Sequence, residues 1–395
     1  MSNEKYRVNE RIFMLDCARK YYTPNWIKRL IVELAAAGYN ALSIHFSEDI
    51  GMRLESKTYP WLAGGDYSLC VYGAANGCPE DDDKYITQEE MADIVRFAQA
   101  NGLEVIPSLD SPGHMNYVVK KYNAHFKTNI GNYFHKDGKV SIVHGSSVNK
   151  EEAQTAYSRG IDIINPEALA FAKSLYTEYG LFFRELGCTK FDIGGDELLG
   201  FGETIDETLS KWQNLDHWRD YARKVTGNEN AVAYDAFVLY VNDLCALLRA
   251  LGYTSLRMWN DDAYRSFDTG YTGITQLDPA LEMQYWLPTA NDSKNTPAFY
   301  LDKGHALYNF NHYYTYYTLG FGSVHHVTPE MIEESFNAYV MDHEHPENNL
   351  EAPNARVLGG GYCLWSDTPA AETEDEILEH IKPYIAAIGK KLQGK

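Results

Sequence analysis

Short apolar runs closed by polar or glycine residues alternate along the chain with stretches whose apolar positions recur at helical spacing. The runs Ile12–Leu15, Ala41–His45, Glu104–Ser108, Phe191–Gly194, Ser255–Trp259, Leu281–Trp286, Ala306–Asn309 and Arg356–Trp365 read as strands. Between them, Pro24–Ala37, Gln88–Asn101, Pro166–Glu185, Val232–Leu251, Pro297–Lys303 and Pro329–Tyr339 read as helices, with Glu374–Leu392 closing the chain. Proline opens several of these segments (Pro24, Pro166, Pro329), where its missing N–H costs nothing. Gly38, Gly102, Gly252 and Gly304 sit just past helix ends, where a left-handed residue closes the last turn.

Eight strands alternating with helices, at roughly 49 residues per unit, predict an α/β chain folded as a (β/α)8 TIM barrel, with residues 1–395 forming a single catalytic domain. The spare length falls in Gly51–Tyr85, Asp110–Asn165 and Leu198–Asn230, which are all connections from a strand to the next helix. Such connections lie on the face where barrel enzymes carry their sites. A doubly wound open sheet would want a glycine-rich turn after its first strand, and Asp16-Cys17-Ala18-Arg19 is not one.

Composition narrows the partners. Thirty-five basic against fifty-five acidic residues give a formal charge of −20, which repels phosphate backbones and anionic lipid. No nucleic-acid or membrane partner is therefore expected. The six cysteines form no CxxC or Cys/His cluster, so neither a zinc site nor a disulfide framework is expected, although Cys70 and Cys78 share a loop. No apolar stretch of signal-peptide or membrane-span length is present, and the expectation is a cytoplasmic protein with reduced thiols. Thirty tyrosines, sixteen phenylalanines and seven tryptophans exceed what core filling asks for.

The predicted strand ends converge on one set of side chains. They bring Asp16 and Arg19; His45, Glu48 and Asp49; Asp110 and His114; Asp196 and Glu197; Trp259, Asn260 and Asp261; Trp286; Asn309 through Tyr317; and Trp365 with Asp367. Acids, an arginine and flat aromatic faces suit a polyhydroxylated ring, whereas a phosphate substrate would want more cations. The sharpest feature is Phe191-Asp192-Ile193-Gly194-Gly195-Asp196-Glu197, two glycines followed by two adjacent carboxylates. Alone, such a turn is as readily a solvated loop. A glycosidase that supplies both acid and nucleophile sets its carboxylates on opposite sides of the scissile bond, ~5 Å or more apart. Neighbours on one turn would instead address two adjacent sites of one substrate.

With Met14-Leu15-Asp16-Cys17-Ala18-Arg19, Ile106-Pro107-Ser108-Leu109-Asp110-Ser111-Pro112-Gly113-His114 and Leu364-Trp365-Ser366-Asp367, that segment resembles glycoside hydrolase family 20, the β-N-acetylhexosaminidases, and above all its single-domain, dispersin-like members. The resemblance runs from about Arg11 to the last helix. It implies exo-acting, retaining, substrate-assisted hydrolysis of terminal non-reducing β-linked GlcNAc or GalNAc through an oxazolinium intermediate, with no cofactor and no metal. Carried over residue by residue, it implies that Asp196 orients the acetamido group and stays charged while Glu197 is the protonated acid. Tyr314 would bond the acetamido oxygen and His114 would support the acid. Arg19, Glu48 and Asp367 would hold ring hydroxyls, and Trp259, Trp286 and Trp365 would wall the pocket. For each tryptophan alone, burial in the core is the commoner reason. The chain departs from the family pattern at Glu48-Asp49 (usually Asp-Asp), Asp192 (commonly His), Tyr316 (often Asp or Asn near O6) and Asp367 (usually Glu). Three of these fall on the C4 and C6 side of the ring.

The partner is thus an oligosaccharide or glycoconjugate ending in N-acetylhexosamine, with oligomer formation left open. Two other readings stand beside it at this point: a metal-assisted hydrolase using His45, His114, Asp110 and Asp196, and a sugar-binding protein that has lost turnover.

Overall fold

In the computed structural model, residues 3–70, 74–131, 134–136, 139–141, 160–198, 215–264, 273–287 and 295–395 are described. Eight parallel strands close on themselves: β1 (Glu10–Asp16), β2 (Ala41–Glu48), β3 (Glu104–Leu109), β4 (Lys190–Asp192), β5 (Ser255–Trp259), β6 (Glu282–Tyr285), β7 (Leu307–Asn309) and β8 (Val357–Trp365). Each pairs with the next in chain order, and β8 pairs with β1 from Glu10↔Gly359 to Leu15↔Leu364. The outer helices are α1 (Pro24–Ala36), α2 (Gln88–Ala100), α3 (Pro166–Glu185), α4 (Ala233–Ala250), α5 (Pro297–Asp302), α6 (Pro329–Ser335) and α7 (Glu374–Leu392). Among the described residues no helix stands between β5 and β6.

Strand alternation sorts the apolar side chains into two cores. On β1, Phe13 and Leu15 face outward into the layer between strands and helices, while Ile12 and Met14 face inward with Ile106, Trp259, Tyr308, Phe310 and Cys363. The base of the barrel interior is polar. Buried Arg257 lies 4.1 Å over the Tyr308 ring, its Nη2 donates to the Tyr308 hydroxyl (3.0 Å), and Tyr308 donates to Glu10 (2.9 Å). Lys190 Nζ completes the group 3.0 Å from Glu10.

Helix starts follow their caps. Thr23 accepts from Trp26 N–H ahead of Pro24, and Thr87 and Thr373 form reciprocal caps with Glu90 and Glu376. The segment read as a helix to Tyr339 stops at Ser335, because Phe336 turns extended (φ −90°, ψ 144°) and buries its ring. The connections after β3 and β4 carry helices of their own, Asn116–Phe126 and Asp216–Thr226. All six cysteines, Cys70 and Cys78 included, are unbridged and buried. No described helix is long and apolar enough to cross a membrane.

Candidate active site

The carboxyl end of β1 sets the first wall. Asp16 Oδ1 accepts the backbone N–H groups of Ala18 and Arg19, and its Oδ2 takes both the Ser366 N–H (3.0 Å) and Arg19 Nη1 (2.8 Å). One buried carboxylate therefore joins β1 to the residue after β8 and aims the guanidinium into the barrel mouth. Arg19 Nη2 then pairs with Glu48 Oε1 at 2.6 Å, and the guanidinium lies 5.5 Å from the Trp365 ring. Burial pushes the Glu48 carboxyl up, but Arg19 and His114 outweigh it and hold this acid well below the usual carboxylate range.

His114 links this wall to the acid pair. Its Nδ1 lies 3.1 Å from Glu48 Oε2, and its Nε2 faces Asp196 Oδ2 at 3.5 Å and Glu197 Oε2 at 3.3 Å. Both adjacent carboxylates therefore turn toward one imidazole edge, on the same side of the site. The turn that achieves this is tight. Gly194 and Gly195 have φ of +68° and +83°, and a Cβ at Gly194 would stand 1.9 Å from Asp110 Oδ1. That carboxylate accepts the Gly195 N–H at 2.9 Å. His114 (φ 49°) and Glu197 (φ 46°) also occupy the left-handed region, which side-chain-bearing residues visit at a cost and mostly at functional sites.

The acids sit in a field of their own making. Burial pushes Asp196 well above the ordinary carboxylate value, as do the neighbouring charges of Asp110, Asp261 and Glu197, while His114 pulls it down. Burial likewise pushes Asp110 up to about 6. Burial and these neighbouring acids thus work against the charged form of Asp196 that the resemblance implies. A bound amide N–H, donating to this carboxylate, would offset part of that cost.

Across the mouth stand the aromatic faces. Trp259 and Trp365 lie 5.9 Å apart, and Tyr316 is stacked on Trp286 at 6.0 Å and tilted to Trp365 at 5.7 Å. Arg19, Glu48, His114, Asp196, Glu197, Trp259, Trp286, Trp365 and Asp367 line one pocket, joined there by Tyr316 and Thr318. The space it encloses measures about 520 Å³ with the open mouth included.

Tyr314 is the exception. It lies on the short helix His312–Thr315 and packs its ring against Phe336 and Tyr313, outside the pocket. Two residues on, Tyr316–Thr318 runs as a short strand beside β8, pairing Tyr316 with Cys363 and Thr318 with Trp365. Alternation then sends Tyr316 and Thr318 into the pocket and Tyr317 outward to Glu372. Burial holds the Tyr316 phenol well above its ordinary value, as do nearby carboxylates, so the hydroxyl keeps its proton and can donate. Asp192, where the family commonly has histidine, lies below the pocket and accepts from Ser108 Oγ and Gly194 N–H, both at 3.0 Å. In the connections after β2 and β3, Tyr67, Tyr117 and Tyr122 are buried in the outer core, and Tyr72 and Tyr133 lie outside the described residues.

Three groups bring ligand-type atoms close enough for a cation: His45, Glu48 and Asp110; Glu48, Asp49 and His114; and Asp110, His114 and Asp196. Each is also engaged internally, Glu48 with Arg19 and His114, His45 Nδ1 with Ser108, and Asp110 with Gly195 N–H.

Among known proteins, β-hexosaminidase subunit A1 of Dictyostelium discoideum is 24% identical over 96% of this chain and 57% of its own length. A β-hexosaminidase of Vibrio vulnificus is 25% identical over 66% of this chain and 31% of its own. The chain therefore spans little more than half, or less, of these curated relatives. In fold it is similar to the crystal structure of Dispersin B, with a TM-score of 0.67, 22% identity, and coverage of 97% of this chain and 99% of that one. The profile described as glycosyl hydrolase family 20, catalytic domain, matches residues 9–390, and the chain belongs to that family.

Proposed function

We propose that the chain is an exo-acting, retaining β-N-acetylhexosaminidase that removes a terminal non-reducing GlcNAc or GalNAc from an oligosaccharide or glycoconjugate, with residues 1–395 acting as one catalytic unit. The observation that carries this reading is that Asp196 and Glu197 approach one edge of His114 and face a box of three indoles. Two adjacent acids on one side of a sugar cannot serve as acid and opposing nucleophile. The nucleophile then comes from the substrate.

In the first step the acetamido carbonyl oxygen attacks C1 while the bond from C1 to the glycosidic oxygen breaks. The leaving oxygen takes the proton of Glu197. Asp196 accepts the acetamido N–H, orients the group and offsets the positive charge that develops on the oxazolinium. The Tyr316 hydroxyl, which lines the pocket where that of Tyr314 does not, donates to the acetamido oxygen. Water then attacks C1, gives a proton to Glu197 and reopens the ring, which restores both the acetamido group and the acid. Arg19, Glu48 and Asp367 hold the hydroxyls at the closed end, and Trp259, Trp286 and Trp365 pack the apolar faces.

The test compares 4-nitrophenyl 2-acetamido-2-deoxy-β-D-glucopyranoside with 4-nitrophenyl β-D-glucopyranoside. The first is turned over and the second, lacking the internal nucleophile, is not. Equal turnover of both would overturn the substrate-assisted reading, and turnover of neither these nor the matching 2-acetamido galactoside would favour a binding protein.

A further inference from the structure

Beyond the pocket itself, the residues that follow β5 make an unusual set of bonds. Asn260, Asp261 and Asp262 are consecutive and buried. Asn260 Oδ1 accepts the Trp286 backbone N–H at 2.8 Å, and Asp262 Oδ2 accepts the Leu198 N–H at 2.7 Å. Asp261 lies between them and does two things at once. Its Oδ2 accepts the Glu197 N–H at 2.9 Å, and its Oδ1 accepts the Trp286 indole N–H at 3.0 Å. One carboxylate thus grips the backbone of the acid, which sits at φ 46°, and one wall of the sugar pocket.

We infer that Asp261 is a positioning residue that fixes the Glu197 carboxyl relative to a ring seated against Trp286. The inference rests on the proposed role of Glu197 as proton donor. Its chemical basis is acceptor count. A carboxylate offers an oxygen to each of two N–H donors, whereas an amide offers one oxygen and turns an NH2 toward the other. Proton donation tolerates little displacement, since a shift near 1 Å costs on the order of 100-fold.

The experiment measures kcat and KM for Asp261→Asn, Asp262→Asn and Glu197→Gln on N-acetyl-β-glucosaminides of graded leaving-group acidity, with thermal melts of each. Asp261→Asn is expected to lose on the order of 10- to 100-fold in kcat on poor leaving groups and distinctly less on 2,4-dinitrophenolate. Asp262→Asn keeps one oxygen for Leu198 and is expected to leave the leaving-group dependence unchanged. Asp261→Asn losing equally on every leaving group, or matching Asp262→Asn, would overturn the inference. If Asp261→Asn does not fold, Asp261→Glu carries the same test, because it keeps two acceptors but displaces the Glu197 backbone. Should Glu197→Gln itself show no leaving-group dependence, the proposed role of Glu197 fails. If it does show one and the Asp261 variants do not, only the positioning role fails.

Discussion

Replacing Arg19 with methionine tests whether the closed end of the pocket is held by its ion pairs. The guanidinium contacts Asp16 at 2.8 Å and Glu48 at 2.6 Å, and its side chain is 15% exposed against 0% and 2% for the partners. Removing one partner of a buried pair costs about 3–5 kcal/mol. Asp16 keeps the N–H groups of Ala18 and Ser366, and Glu48 keeps His114 and the Asp49 N–H, so the lower end applies. For a chain of this length the unfolding entropy is roughly 0.8 kcal/mol/K, which converts about 3 kcal/mol into a fall in Tm of about 4 °C. The pH dependence has a definite sign. Glu48 titrates well below its ordinary value in the folded protein despite burial, because Arg19 and His114 hold its charge. A lowered folded value contributes stability above the unfolded pKa of about 4.3, and that stability is lost as pH falls through the folded value. The gap in Tm between wild type and Arg19→Met is therefore full at pH 7 and shrinks below about pH 4. Calorimetry across that range checks it, with KM for the aryl N-acetylglucosaminide expected to rise in parallel. A gap that is constant with pH, or a Tm unchanged at pH 7, would refute the reasoning.

Other consequences are as direct. Tyr316→Phe removes the donor to the acetamido oxygen and should lower kcat by about 100-fold or more, while Tyr314→Phe should leave kcat near wild type; the opposite ranking would restore Tyr314 to the site. Asp196 acts as an anion but is pushed up by burial and by Asp110, so the acid limb of kcat/KM reports its deprotonation. Asp110→Asn removes that neighbouring charge and should move the limb to lower pH, and a limb that stays or rises counts against the assignment. Prolonged dialysis against EDTA should leave the aryl-glycosidase rate unchanged; a loss restored by one divalent cation would revive the metal-assisted reading.

The barrel was legible because its signals are local. On strands such as Ala41–Glu48, Leu42, Ile44 and Phe46 recur at every second position toward the helix layer, and the helices between strands carry their own caps. The acid pair was legible because Gly194-Gly195-Asp196-Glu197 compresses a turn and its chemistry into four residues. Which tyrosine faces the pocket was not legible, because Asn311 to Thr318 offers four of them and the chain changes from a helical turn to a strand within them. The alternation of Tyr316 and Thr318 was the available signal, but it gains meaning only once the segment is paired with β8. Asp261 was visible as a strand-end acid, yet its partner Glu197 lies 64 positions earlier, and no local pattern links them. The same holds for the polar base, where Arg257 and Glu10 stand 247 positions apart.

The account stands or falls on where the attacking atom comes from. Successive fluorination of the N-acetyl methyl group withdraws electron density from the carbonyl oxygen while changing the shape of the sugar little. Measured as kcat for 4-nitrophenyl glycosides carrying N-acetyl, N-fluoroacetyl, N-difluoroacetyl and N-trifluoroacetyl groups, the rate is predicted to fall steadily with each fluorine. A rate indifferent to fluorination, with a glycosyl ester found on one of the protein's carboxylates, would contradict it.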